Sequence, residues 1–136
     1  PPRSTLFPYT TLFRSHMNTR HIVTTTSWFG GGADLTPMFP DEADTAAFHA
    51  AFKAACDKHD PAYYPRFKEE CDRYFYLKHR EEPRGIGGIF FDDLNDREPE
   101  ALLSFAKDCA AAFAPAYLPL VEKRHTMPFD DSHKRW

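Results

Sequence analysis

The chain is 136 residues long, 42% hydrophobic and 27% charged, which suits one domain with a buried core and excludes a disordered or fibrous protein. A net charge of −3 and a pI near 6.2 exclude a general basic field for nucleic acid or an anionic membrane, so any anionic ligand must be held by local arginines or lysines. Three widely spaced cysteines, Cys56, Cys71 and Cys109, point to neither a disulfide framework nor a zinc cluster, and no apolar run approaches the roughly 18 residues of a membrane span, so a reducing, cytoplasmic setting is expected.

Residues 1–15, PPRSTLFPYTTLFRS, repeat Thr-Leu-Phe without a sustained period. They read as a non-native leader, and fold reasoning starts at His16. From Ile22 to Phe29 β-branched and aromatic residues dominate as far as three glycines, which predicts a strand that stops at a sharp turn. Asp41 and Glu42 then open a helical pattern carried by Phe48, Phe52 and Ala55, closing near His59-Asp60-Pro61. A second helix carries Phe67, Cys71, Tyr74 and Phe75 on one stripe. Arg84 to Leu94, RGIGGIFFDDL, surrounds a short apolar run with glycines and predicts a buried strand that another group approaches closely. Asn95 to Pro99 is a turn and cap, after which Leu102, Phe105, Ala106, Cys109 and Phe113 mark a third helix. Pro115 and Pro119 are expected to break it before one more short helical segment. Three or four helices need a sheet to cover, and two strands rarely stand alone, so the chain reads as part of a domain.

Neither glycine cluster is a phosphate cradle. Both GGGADLTP and GIGGIFFDD lack the Lys-Ser/Thr of a P-loop, and each is followed by an acid that would repel phosphate. The glycines instead suit close approach of something bulky to the backbone. Asp34 carries two readings: a turn or helix-cap acceptor before Leu-Thr-Pro, or an acid between a Gly-rich bend and aromatic walls that accepts N–H bonds or a proton from a stacked ligand. His49 and His79 lie in separate elements and share a metal only if the fold unites them; otherwise one borders the Phe48/Phe52 stripe and the other ends a helix. Ser15-His16-Met17 by itself resembles a vector scar. Cys71 and Cys109 fall on apolar stripes as inert thiols. Arg20, Lys78, Arg80 and Arg84 flank the strands and glycine clusters, and with 13 Phe, 6 Tyr and 2 Trp they outline a site for a large, flat, carboxylate-bearing molecule.

The segments HMNTR (16–20), WFGGGADLTP (28–37), YYPRFKEECDRYFYLKHR (63–80) and RGIGGIFFDDL (84–94) together resemble the oxygen-dependent coproporphyrinogen-III oxidase family, in family order from His16 to the end. The resemblance implies an α+β fold, a broad antiparallel sheet covered by helices on both faces in an α/β/α sandwich, incomplete here because residues 16–136 are a partial domain lacking the family's N-terminal and C-terminal parts. It implies an enzyme of haem and porphyrin biosynthesis that oxidatively decarboxylates two propionates of coproporphyrinogen III to vinyl groups. O2 is the co-substrate, no flavin or haem is needed, and protoporphyrinogen IX, CO2 and H2O2 are the products. It further implies a homodimer at full length. By the same resemblance His16 is the proton donor, Asn18, Thr19 and Arg20 bind substrate, His49 and His79 are ligands of a divalent metal, and Asp34 meets the pyrrole N–H groups. The fragment alone is expected to be inactive and poorly folded. Two rivals stay open: a non-catalytic tetrapyrrole- or carboxylate-binding module, and a metal-dependent hydrolase using His49, His79 and an acid.

Overall fold

The computed structural model describes residues 13–128 and 130–134. The leader reading over residues 1–12 therefore lies outside the described residues. The chain forms strands β1 (Phe13–Val23) and β2 (Ser27–Pro37), helices α1 (Glu42–Asp57) and α2 (Tyr63–Tyr74), and a two-residue ladder of β3 (Tyr76–Leu77) with β4 (Glu82–Pro83). Strand β5 (Gly87–Leu94), the long helix α3 (Pro99–Arg124) and the short α4 (Asp131–Lys134) follow. The main sheet is antiparallel in the order β1-β2-β5, which gives the expected α+β class.

The predicted strand over Ile22 to Phe29 straddles a hairpin. Thr24, Thr25 and Thr26 have strand-forming side chains, but the Thr24 N–H and hydroxyl both donate to the Thr26 carbonyl, at 2.9 and 3.0 Å, and close a turn there. The three glycines, expected to end a strand, lie inside β2. Helix α1 begins as predicted: the Asp41 carboxylate accepts from the Asp44 N–H at 2.9 Å and caps it. Helix α3 runs unbroken through Pro115 and Pro119, contrary to expectation. Those prolines are four apart on the exposed side, as is Ala111, so the carbonyls that lose their N–H partners there belong to solvent-facing residues.

Residues alternate across the sheet. Phe29, Ala33 and Leu35 of β2 and Ile89 and Phe91 of β5 enter the core with Phe48 and Phe52 of α1, Phe67 of α2 and Phe105 of α3. Aromatic rings knit strand β5 to helices α2 and α3: Phe67–Phe91, Phe91–Phe105 and Tyr63–Phe105 centroids lie 5.2, 5.1 and 5.0 Å apart. Much of the aromatic content is thus core. Among the described residues the helices cover this face, while the opposite face of the sheet carries the site described below.

The two ends of the helical layer are pinned by charge. Asp44, 9% exposed, is held by Lys123 Nζ at 2.8 Å and Arg124 Nη2 at 2.6 Å, so the start of α1 is tied to the last turn of α3. Burial alone would raise the Asp44 pKa, but the hydrogen bonds and charges of Lys123 and Arg124 outweigh it and leave the carboxyl below 3.8. A lowered folded-state pKa contributes stability above the unfolded value, and that stability is lost as pH falls through the folded value. D44N should therefore cost about 3 kcal/mol at neutral pH and flatten the acid loss of stability below about pH 4. Calorimetry from pH 7 to pH 2 checks this, and an unchanged acid limb would deny the pair any role.

Candidate functional site

On its open face the sheet presents alternate residues of three strands. Strand β1 brings His16, Asn18 and Arg20 opposite Asp34, Gly32 and Gly30 of β2, and Asp34 and Gly32 pair in turn with Gly88 and Phe90 of β5. His16, Asn18, Arg20, Asp34 and Phe90, with Thr36, Tyr74, Phe75, Leu77 and Arg84, line a pocket of about 830 Å³, within the range of small-molecule sites. His16 and Asp34 are directly cross-strand, a spacing of about 5 Å between Cβ atoms. His16 is exposed at the pocket wall, whereas Asp34 is 4% exposed at its floor.

Asp34 is neither a turn residue nor a helix cap. It sits in mid-strand, and Arg84 reaches it across 50 residues of sequence, with Nε at 2.8 Å and Nη2 at 2.6 Å from Oδ2. Both contacts fall on one oxygen; Oδ1 makes no hydrogen bond among the described residues. The Arg84 guanidinium also lies over the Phe75 ring, 3.8 Å from its centroid, which fixes its plane. Phe75 meets Phe90 edge-on at 5.4 Å, and Tyr74 stacks on Phe90 at 4.3 Å, so three rings form one apolar wall. Ser15 braces the floor by donating its hydroxyl to the Asp34 carbonyl at 2.7 Å.

A second arginine–aspartate pair crosses the same face. Arg20 of β1 meets Asp92 of β5 at 2.9 Å and donates to Asn18 Oδ1 at 2.8 Å. The pair lies over Gly30, where an added Cβ would stand 2.6 Å from Arg20 Nε and 2.8 Å from Asp92 Oδ1. Here the missing side chain makes room for the protein's own ion pair, whereas the sequence suggested room for a ligand. At Gly32 an added Cβ would lie 2.5 Å from the Ile89 carbonyl, again a protein atom.

Not every expected residue joins this face. Thr19 points to the other side of β1 and lines a small groove with Leu103 and Lys107 of α3. His49 lies on α1, half-buried: its Nε2 donates to the Ile86 carbonyl at 2.9 Å, and its Nδ1 accepts from the Tyr64 hydroxyl at 3.0 Å. Burial pulls the His49 pKa below 6.5. His79 is exposed in the turn between β3 and β4. Among the described residues no group of three or more His, Cys, Asp or Glu is gathered to hold a metal. The cysteines are buried free thiols, as expected; burial, followed by the charge of Asp34, pushes Cys71 up to about 12, and a hydrogen bond that the Cys109 thiol donates to Cys56, then burial, pushes Cys109 upward. Neither is poised as a nucleophile. Tyr74, Phe75 and Phe90 escaped notice as a wall because their helical and strand spacing is that of core residues. No helix among the described residues is long and apolar enough to cross a membrane.

A family model described as Coproporphyrinogen III oxidase matches residues 6–136. Coproporphyrinogen-III oxidase 1, chloroplastic, of Arabidopsis thaliana is 61% identical over 109 residues, 80% of this chain and 28% of that protein. The oxygen-dependent coproporphyrinogen-III oxidase, chloroplastic, of Glycine max is 61% identical over the same shares. The oxygen-dependent coproporphyrinogen-III oxidase of Rickettsia bellii is 54% identical over 121 residues, 89% of this chain and 43% of that protein. The chain thus spans less than half the length of these relatives.

Proposed function

The chain belongs to the coproporphyrinogen III oxidase family, and from that premise we propose that it forms the floor and one wall of a site that oxidatively decarboxylates coproporphyrinogen III with O2. The observation that carries this reading is a buried carboxylate, Asp34, at the floor of a large pocket walled by arginines and stacked aromatic rings. Activity is assigned to a protein of the relatives' length. Strands β1 and β5 each leave an edge unpaired among the described residues, which suits a sheet that other strands extend.

A porphyrinogen offers four inward N–H donors, and Asp34 is the acceptor for them. Because Arg84 occupies Oδ2, Oδ1 is the oxygen available first. The negative charge on Asp34 also favours removal of a pyrrole proton, which makes the ring electron-rich toward O2. Each reacting propionate loses CO2 and a hydride equivalent from its β-carbon and becomes a vinyl group. O2 accepts the two electrons and leaves as H2O2 with two protons, one from the substrate carbon and one from a donor. His16, across from Asp34, is that donor. Arg20 holds a ring carboxylate by exchanging Asp92 for it, Arg84 stays on Asp34 Oδ2 and orients that carboxylate, and the aromatic wall orients the macrocycle.

The test is turnover by the full-length protein carrying this segment. Coproporphyrinogen III should be consumed with matched release of CO2 and peroxide, and no reaction should occur without O2. Binding without peroxide would leave a tetrapyrrole-binding module instead, and activity that survives anaerobiosis would favour the hydrolase.

A further inference from the structure

Resting on the reading of Asp34 as the reactive acid, we propose that His49 is a positioning residue that anchors the loop carrying Arg84, and not a metal ligand. Both ring nitrogens are already committed. A carbonyl only accepts, so the bond to Ile86 requires the proton on Nε2, which leaves Nδ1 as the acceptor for the Tyr64 hydroxyl. A ligand imidazole must free one nitrogen lone pair for the metal. His49 offers one only by giving up the Tyr64 bond or the Ile86 bond.

The bond to Ile86 has a direct path to the site. Ile86 is held on its other side by its N–H, which donates to the Leu35 carbonyl at 3.0 Å, next to Asp34 in β2. Gly85 and Gly87, with φ of 60° and 73°, form the tight bends on either side of it. The loop is thus pinned at Ile86 between helix α1 and strand β2, and two residues upstream Arg84 extends to Asp34. Freeing the Ile86 carbonyl would let this short loop shift, and Arg84 would move with it. Tyr64, from α2, completes the chain by fixing the imidazole tautomer and ring plane.

In the full-length enzyme, H49N places an amide near Nδ1 and cannot reach Ile86, whereas H49Q carries an amide nitrogen near the position of Nε2. H49N should lower kcat about tenfold or more with a smaller change in KM, and H49Q should recover most of that loss. With Arg84 replaced by methionine, adding H49N should change kcat less than about twofold, because residues acting through one contact are not additive. Should H49N fold poorly, Tyr64→Phe probes the same chain with the ring kept, and the same non-additivity with Arg84 is expected. Independently of any turnover, hydrogen exchange at the Ile86 and Gly87 amides should rise in H49N and stay near wild type in H49Q. Bound metal, measured by elemental analysis, should be equal in all variants. Metal lost from H49N with activity restored by added divalent ion, or effects of His49 and Arg84 that multiply, would overturn the proposal. Absence of turnover in the wild-type enzyme would sink only the functional reading, since the exchange experiment still reports on the anchor.

Discussion

D34N is expected to abolish turnover in the full-length enzyme, with kcat reduced about a thousandfold, while the protein keeps its fold. Asparagine has the shape of aspartate and its amide oxygen still accepts from Arg84, so the packing at the pocket floor survives. What disappears is the negative charge proposed to accept pyrrole N–H donors and to favour loss of a pyrrole proton. Asp34→Ala is a harsher change, because it leaves the Arg84 guanidinium partly buried without its carboxylate, at a cost of about 3 kcal/mol or more. Comparing the two variants separates chemistry from stability. D34N should unfold within a few degrees of wild type and bind coproporphyrin with much less loss than kcat suffers, since Arg20, Arg84 and the aromatic wall remain. Oxygen uptake under saturating substrate gives kcat, fluorescence quenching gives binding, and a D34N kcat within tenfold of wild type would remove Asp34 from the chemistry.

Helices α1 and α2 were legible because their apolar residues recur at helical spacing; Phe48, Phe52 and Ala55 of α1 and Phe67 and Cys71 of α2 are buried, while Tyr74 and Phe75 at the end of the α2 stripe turn to the pocket wall. The sheet was harder to read. β1 alternates toward a polar pocket, so HMNTRH lacks the apolar alternation that marks a half-buried strand, and its first three residues fall in the segment set aside as a leader. The three threonines mimic a strand and make a turn, and the two prolines of α3 were read as breaks because their solvent-facing position is a tertiary fact. Local spacing made Asp34 a cap. Resemblance to a family decided between the two readings of Asp34, and neither route could foresee its pairing with Arg84, because a contact across 50 residues depends on how Gly85 and Gly87 bend the chain beside β2. The arginines were singled out by residue type, but their internal partners, Asp34 and Asp92, were not. His49 shows the converse limit, since the resemblance names its role while its two hydrogen bonds describe another.

The glycines that first suggested a ligand lead to a second large effect. Gly88 pairs with Asp34, and a Cβ at Gly88 would be driven into the Ala33 carbonyl oxygen, with the Ala33 carbonyl carbon and Asp34 Cα each 2.9 Å away. All three atoms are backbone of the middle strand and cannot rotate away as a side chain would. G88A therefore separates β2 from β5 at the residue that carries the proposed chemistry. Overpacking of ordinary cores costs about 1–3 kcal/mol, and a backbone clash belongs at or above the top of that range, a large share of a typical stability of about 5–15 kcal/mol. Because the bends at Gly85 and Gly87 hang from the same strand, Arg84 loses its alignment with Asp34 together with the strand pairing. The expected result is a protein with a melting temperature lowered by several degrees and turnover below detection even where it remains folded. Thermal unfolding with parallel turnover measures both, and a G88A protein as stable and active as wild type would mean that β2 and β5 do not approach this closely.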